Sequence, residues 1–166
     1  PPIHPGQCME CVPTMSNPTD SATSDLLIFR LRDIVGPENV LTQASDTATY
    51  TTDWTQQHTG DAIAVVRPAS TDDVSAIVKL CSAAGVAVVP QGGRTGLCGG
   101  GVPIAGQPSI ILSLTRMNAI RSLDPESRTV VAEAGVVLET LHERARWLVP
   151  LCARLGLNFT DRLHIH

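Results

Sequence analysis

Lysine is almost missing from this 166-residue sequence: Lys79 is the only one, and there are just five aromatic residues. The 12 basic residues are scattered and the formal net charge is −4. Neither a cationic patch nor a stacking platform is visible, so nucleic acid is not an expected partner. Long apolar runs are also missing. None approaches the roughly 18 residues needed to span a bilayer, and the first thirty residues have no basic segment followed by an apolar one, as a secretory signal would. The expected location is the cytoplasm, or the mitochondrion in a eukaryote. Five cysteines, odd in number and irregularly spaced, argue for reduced thiols and against a disulfide framework. What remains is 43% apolar and 17% charged, long enough for one ordinary domain with a sizeable core.

Residues 1–24 are rich in Pro, Ser and Thr without periodicity and read as a mobile leader. Met15 is a candidate initiator, with residues 1–14 as an upstream extension. Cys8 and Cys11 have zinc-knuckle spacing, but a metal site needs about four ligands in a folded shell, so no metal is expected. From Asp25 to Val35, apolar residues at Leu26, Leu27, Ile28, Leu31, Ile34 and Val35 make a helical stripe that Gly36-Pro37 stops. Ala62–Val66 is a continuous apolar run that fits a buried strand. Ser70 or Thr71 then caps a helix running to Ala84, with Asp72 and Asp73 in its first turn and Gly85 at its end. Val86–Val89 is the next strand, and strand, helix and strand make a βαβ crossover. Ile110–Leu114, Ala119–Leu123 and Thr129–Glu133 are short strand candidates, the last two joined by an Asp124-Pro125-Glu126-Ser127 turn. After Gly135, Val137, Leu138, Leu141, Ala145 and Leu148 mark an amphipathic helix. The fold class is α+β, not a regular doubly wound sheet.

The chemistry concentrates in VVPQGGRTGLCGGG, Val88–Gly101, where six of fourteen residues are glycine directly after a strand. Glycine permits left-handed backbone and lets another group approach the main chain, at an entropic cost. So many together suggest a bound ligand with phosphates, at the strand end where open α/β sheets bind ligands. No Lys follows these glycines, so the loop is not a P-loop. Gly99 and Gly101 supply two positions of a G-x-G-x-x-G fingerprint, but Ile104 occupies the third and a strand follows, so it is not a Rossmann turn either.

Five motifs in order carry a resemblance: Ala64–Val74 (AVVRPASTDDV), Val88–Gly100, Leu112–Asn118 (LSLTRMN), Asp124-Pro125 and Val131–Gly135 (VAEAG). Together they resemble the N-terminal portion of the FAD-linked oxidase family, whose fold is that of vanillyl-alcohol oxidase and p-cresol methylhydroxylase. The nearest branch is that of the D-2-hydroxyacid dehydrogenases, and the likeness runs from about Leu26 to Leu151. It implies a partial FAD-binding domain of this type over 25–151, with 152–166 a tail that fits no part of the pattern.

In that family the FAD pyrophosphate lies against main-chain N–H groups of the glycine-rich loop, an anion nest. Carried over, the resemblance implies FAD contacts from Pro90, Gln91, Gly92, Gly93, Arg94, Thr95, Gly96, Gly99 and Gly100, with Arg94 adding a charge-assisted contact to a phosphate. Ser113 would line the flavin side, and Gly135 would let the backbone pass close to the cofactor. Some relatives tether the flavin through a His within the loop; Arg94-Thr95 stands in that region here, so the FAD is expected to be noncovalent. Cys98 reads as a small, partly buried residue, His142 as solvated, and Asp53 and Trp54 as packing residues. The family's substrate clamp, metal-binding histidines and proton-abstracting base all lie beyond Leu151, so no catalytic residue is assigned, and the chain is expected to be a catalytically incomplete fragment. The implied reaction is oxidation of a small D-2-hydroxy acid by hydride transfer to flavin. Two alternatives stand beside it: a stand-alone FAD or nucleotide-binding module, and a nonenzymatic interaction protein that self-associates through exposed apolar surface.

Overall fold

A computed structural model describes residues 21–124, 127 and 129–145. Helix α1 (Ser21–Val35) begins upstream of Asp25 and buries Leu27, Leu31 and Val35, while Leu26 and Phe29 face outward. Gly36, at φ 87°, ends it by donating its N–H to Arg32 O. The side chain of buried Asn39, in a 3-10 turn over Pro37–Asn39, donates to Val35 O at 2.8 Å and so satisfies a carbonyl in the last turn of the helix. Strand β1 (Val40–Leu41) and the one-turn helix α2 (Ala44–Thr47) follow, neither of which has a periodic signature in the sequence.

Strand β2 (Ala64–Val66) is buried throughout. Helix α3 (Thr71–Ala84) starts in a full capping box: the Ser70 hydroxyl accepts the Asp73 N–H, and the Asp73 carboxylate accepts the Ser70 N–H. It stops at Gly85, left-handed at φ 66°. Strand β3 (Ala87–Gln91) runs up to the glycine loop, and β4 (Ser109–Ser113) returns parallel to it.

The sheet order is β1-β2-β4-β3. The crossover from β2 through α3 to β3 is present, but β4 inserts between its two strands, with Ile111 opposite both Val65 and Val89. That central place explains why every residue of β4 is buried. On the face covered by α1 and α3, alternate strand residues Ala64, Val66, Ile110 and Leu112 pack with Leu31, Ile77 and Cys81. Burial pushes the Cys81 thiol up to about 11.

After a second 3-10 turn (Leu114–Arg116), β5 (Ile120–Asp124) and β6 (Thr129–Ala132) form a separate antiparallel hairpin, bulged between Ile120 and Ser122. Asp124 accepts the Ser127 N–H at 3.2 Å in the connecting turn. Helix α4 (Leu138–Ala145) ends the described chain. All four residues of β6 are exposed, as are Val137 and Leu138. Residues 21–24, read from the sequence as the end of a mobile leader, are the first turn of α1; residues 1–20 with Met15 and the Cys8/Cys11 pair, the side chain of His142 and the tail after Leu151 lie outside the described residues. Among those described, no helix is long and apolar enough to cross a membrane.

Candidate functional site

The C-terminal end of β3 opens onto a cavity of about 270 Å³ lined by Pro90 to Gly96, Gly99, Gly101 and Val102, together with Thr52 and Asp53. Gln91, the last residue of β3, closes the base of the glycine loop. It is 5% exposed, and its Nε2 donates both to Tyr50 O at 2.7 Å and to Gly101 O at 2.5 Å. Facing two carbonyls fixes which end of the amide is the donor. Its Oε1 is buried with no partner among the described residues. An orphaned buried acceptor costs about 1–3 kcal/mol until ordered water or a ligand supplies a donor.

The glycines divide by what requires them. Gly99 is left-handed at φ 70° and lies under His58, whose Cγ would sit 2.9 Å from a Cβ there. Gly96 and Gly100 would meet nothing within 4 Å, Gly93 only Thr95 Cγ2 at 3.9 Å, and Gly92 only Ala134 O at 3.8 Å. None of these four has a positive φ. Neither backbone conformation nor packing against the protein calls for glycine at these positions, so the bare main chain leaves space for something else. No hydrogen bond among the described residues serves the N–H groups of Gly93 to Cys98, all in exposed residues. Successive unengaged amides beside a cavity make an anion nest.

The segment from Thr49 to Gly60 holds the loop from the side, and sequence reading missed most of it. Arg94, at φ 57°, turns its guanidinium away from the loop: Nη1 donates to Thr49 O and the group lies 4.8 Å from the Tyr50 ring centroid. Arg94 thus braces the neighbouring segment through Nη1 while still lining the cavity. Buried Asp53 organises the turn of that segment, accepting the N–H of Gln57 (2.9 Å) and of His58 (3.0 Å) and the Thr55 hydroxyl. The Thr55 hydroxyl first, then the His58 N–H, hold its carboxyl below the usual range. Gly60 packs so closely on Pro103 that a Cβ would fall 2.0 Å from the Pro103 carbonyl oxygen. Such contacts run through main-chain atoms and leave no motif.

Three expectations need correcting. Trp54 is not packed but 74% exposed, Cys98 is exposed, and the close approach at Gly135 is to protein backbone. A Cβ on Gly135 would lie 1.8 Å from Leu114 O, and its N–H donates to Met117 O at 2.8 Å. Ser113 sits opposite Gln91 in the ladder, but its hydroxyl pairs with that of Thr115 at 3.2 Å and it does not line the cavity. Gly100 is exposed beside the cavity, not in its wall.

The fold is shared with flavin-dependent oxidases of known structure. A p-cresol methylhydroxylase with substrate bound superposes with a TM-score of 0.67 over 76% of this chain and 25% of its own, at 21% identity. A 4-ethylphenol oxidase from Gulosibacter chungangensis, in complex with isoeugenol, gives 0.65 over the same shares at 28% identity. The sequence profile of the FAD binding domain family matches residues 62–154, and the chain belongs to that family. Among curated proteins it is 38% identical over 123 residues to a D-2-hydroxyglutarate dehydrogenase of Xanthomonas citri pv. viticola, covering 74% of this chain and 26% of that one. It is 37% identical over 125 residues to the mitochondrial D-2-hydroxyglutarate dehydrogenase of Arabidopsis thaliana, covering 75% and 22%. The chain thus spans about a quarter of the length of these relatives.

The cofactor is FAD, and the site fits it. Unengaged amides from Gly93 to Cys98 suit a pyrophosphate, and Gly93 and Gly96 leave the room that side chains would fill.

Proposed function

We propose that this chain forms the pyrophosphate-holding part of the FAD site of an oxidoreductase acting on a D-2-hydroxy acid of the lactate, glycolate or 2-hydroxyglutarate type. The observation that carries it is the pair of cavity-lining glycines at 93 and 96 that no contact among the described residues requires, beside amides with no partner among those residues. The main-chain N–H groups from Gly93 to Cys98 bind the diphosphate, Gln91 fixes the loop's two ends, and the 49–60 segment braces it. Bound FAD supplies a hydride acceptor; this chain's share is to hold and orient it. The FAD is noncovalent, the domain runs over 25–151 between leader and tail, and the protein works in the cytoplasm or, in a eukaryote, the mitochondrion.

The hydroxy-acid assignment rests on the names of the relatives and is tested by transplantation. Residues 62–145 replace the matching segment of the Xanthomonas dehydrogenase, and oxidation of D-2-hydroxyglutarate by the chimera is measured. Retained flavin with turnover supports the reading, and release of all flavin on acid precipitation establishes the noncovalent link. A folded chimera that retains no flavin refutes it.

A second reading has its own observation. Val130, Val131, Val137 and Leu138 are all exposed, and among the described residues β3 is a sheet edge, so the chain offers an apolar surface for self-association. Size-exclusion chromatography at rising concentration separates a monomer from that case.

A further inference from the structure

A second cavity, of about 400 Å³, adjoins the first and shares Thr52, Asp53, Gly93 and Arg94 with it. Thr49, Trp54 and Gln56 complete its walls. Trp54 is 74% exposed, and among the described residues its indole makes no hydrogen bond or ring contact. Exposing so large an apolar ring is costly unless something covers it. The turn that presents it is fixed: Asp53 N–H donates to His58 O, Gln56 N–H to Asp53 O, and the Asp53 carboxylate binds three further donors. Arg94 lines both cavities and is itself tied to Thr49 and Tyr50.

We infer that the second cavity is the subsite for the adenine of FAD, with Trp54 as its stacking platform. The inference rests on the flavin reading above. It follows from continuity: a diphosphate in the first cavity has its adenosine end within reach of a flat, uncovered indole across shared walls. Gln56 brings a side-chain amide with both a donor and an acceptor to the rim, matching the mixed edge of adenine. Trp54 is a binding and positioning residue, remote from the hydride-accepting ring.

The test uses the full chain and three probes: FAD, ADP and inorganic pyrophosphate. The sequence has two tryptophans, Trp54 and Trp147, so a Trp147→Phe background isolates the Trp54 emission. ADP is expected to quench that emission. Trp54→Ala is expected to weaken ADP and FAD by about 5- to 150-fold, the range for loss of one stacked base, and to leave pyrophosphate affinity unchanged. Trp54→Phe should restore most of the loss. Equal ADP affinity in Trp54→Ala and the parent overturns the inference and leaves the flavin reading standing. An equal loss of ADP and pyrophosphate overturns it too, because the effect would then lie in the loop. A parent chain that binds none of the three overturns the flavin reading and the subsite with it.

Discussion

Two glycine-to-alanine substitutions of identical chemistry should have opposite consequences. In Gly135→Ala the new Cβ falls 1.8 Å from Leu114 O, 2.7 Å from Leu114 C and 2.9 Å from Met117 O, all backbone atoms. Ordinary contact begins at 3.4 Å, so the segment must move by up to 1.6 Å (3.4 − 1.8). Overpacking of that kind costs about 1–3 kcal/mol. The shift also breaks the Gly135 N–H bond to Met117 O, adding about 0.5–1.5 kcal/mol. The expected loss is about 2–4 kcal/mol, a fall in Tm of roughly 5–15 °C for a chain of this size. In Gly96→Ala the Cβ meets nothing within 4 Å and φ is not positive, so the unfolded chain loses entropy and stability rises by about 0.4–1 kcal/mol. The same Cβ enters the cavity, and FAD affinity should fall by about tenfold or more, equivalent to ~1.4 kcal/mol. Thermal melts and FAD titrations on both variants check this. A Gly135→Ala chain as stable as the parent, or a Gly96→Ala chain destabilised with flavin affinity intact, would refute the division of roles.

Three further outcomes follow from local structure. The Asp53 carboxyl is lowered, chiefly by the Thr55 hydroxyl and the His58 N–H. Its contribution is therefore present above the unfolded value of about 3.9 and is lost as pH falls through the folded value. Melts taken below about pH 4 should show an acid limb that Asp53→Asn flattens, and an unchanged limb would contradict the arrangement. Ser70→Ala removes half of the α3 capping box and should cost about 1 kcal/mol in a denaturant titration. At neutral pH, Cys98 should react with iodoacetamide in the folded chain and be shielded by FAD, whereas Cys81, buried and raised to about 11, should react only on unfolding. Peptide mapping of the alkylated sites decides both.

Those elements with local causes were legible in the sequence. The Ser70 cap, the Gly85 stop, the strands on either side of α3 and the glycine loop after β3 all follow from a few neighbouring residues. The candidate cavity at the end of β3 falls where that loop places it. Insertion of β4 between β2 and β3 was not, because apolar runs of equal character carry no information about which strand lies beside which. Nor was the brace from 49–60: Gln91 reaches Tyr50 and Gly101 through carbonyl oxygens, and Arg94 reaches Thr49 the same way, so any side chain at the accepting positions would serve. Gly135 stood in a motif suggesting the cofactor, yet the three-dimensional cause of its missing side chain is the Leu114 carbonyl. Exposure of Trp54 and Cys98 reverses the usual tendency of both residues toward the interior, and only the fold reveals it.

The most direct test of the central claim is the amount of FAD retained per mole of purified chain after excess is removed, read by flavin absorbance, in parent and in a Gly93→Val/Gly96→Val variant. The claim that the bare glycine loop grips the diphosphate predicts bound flavin in the parent and its loss in a variant that melts at the same temperature. Equal flavin in both chains, or none in a folded parent, would contradict it.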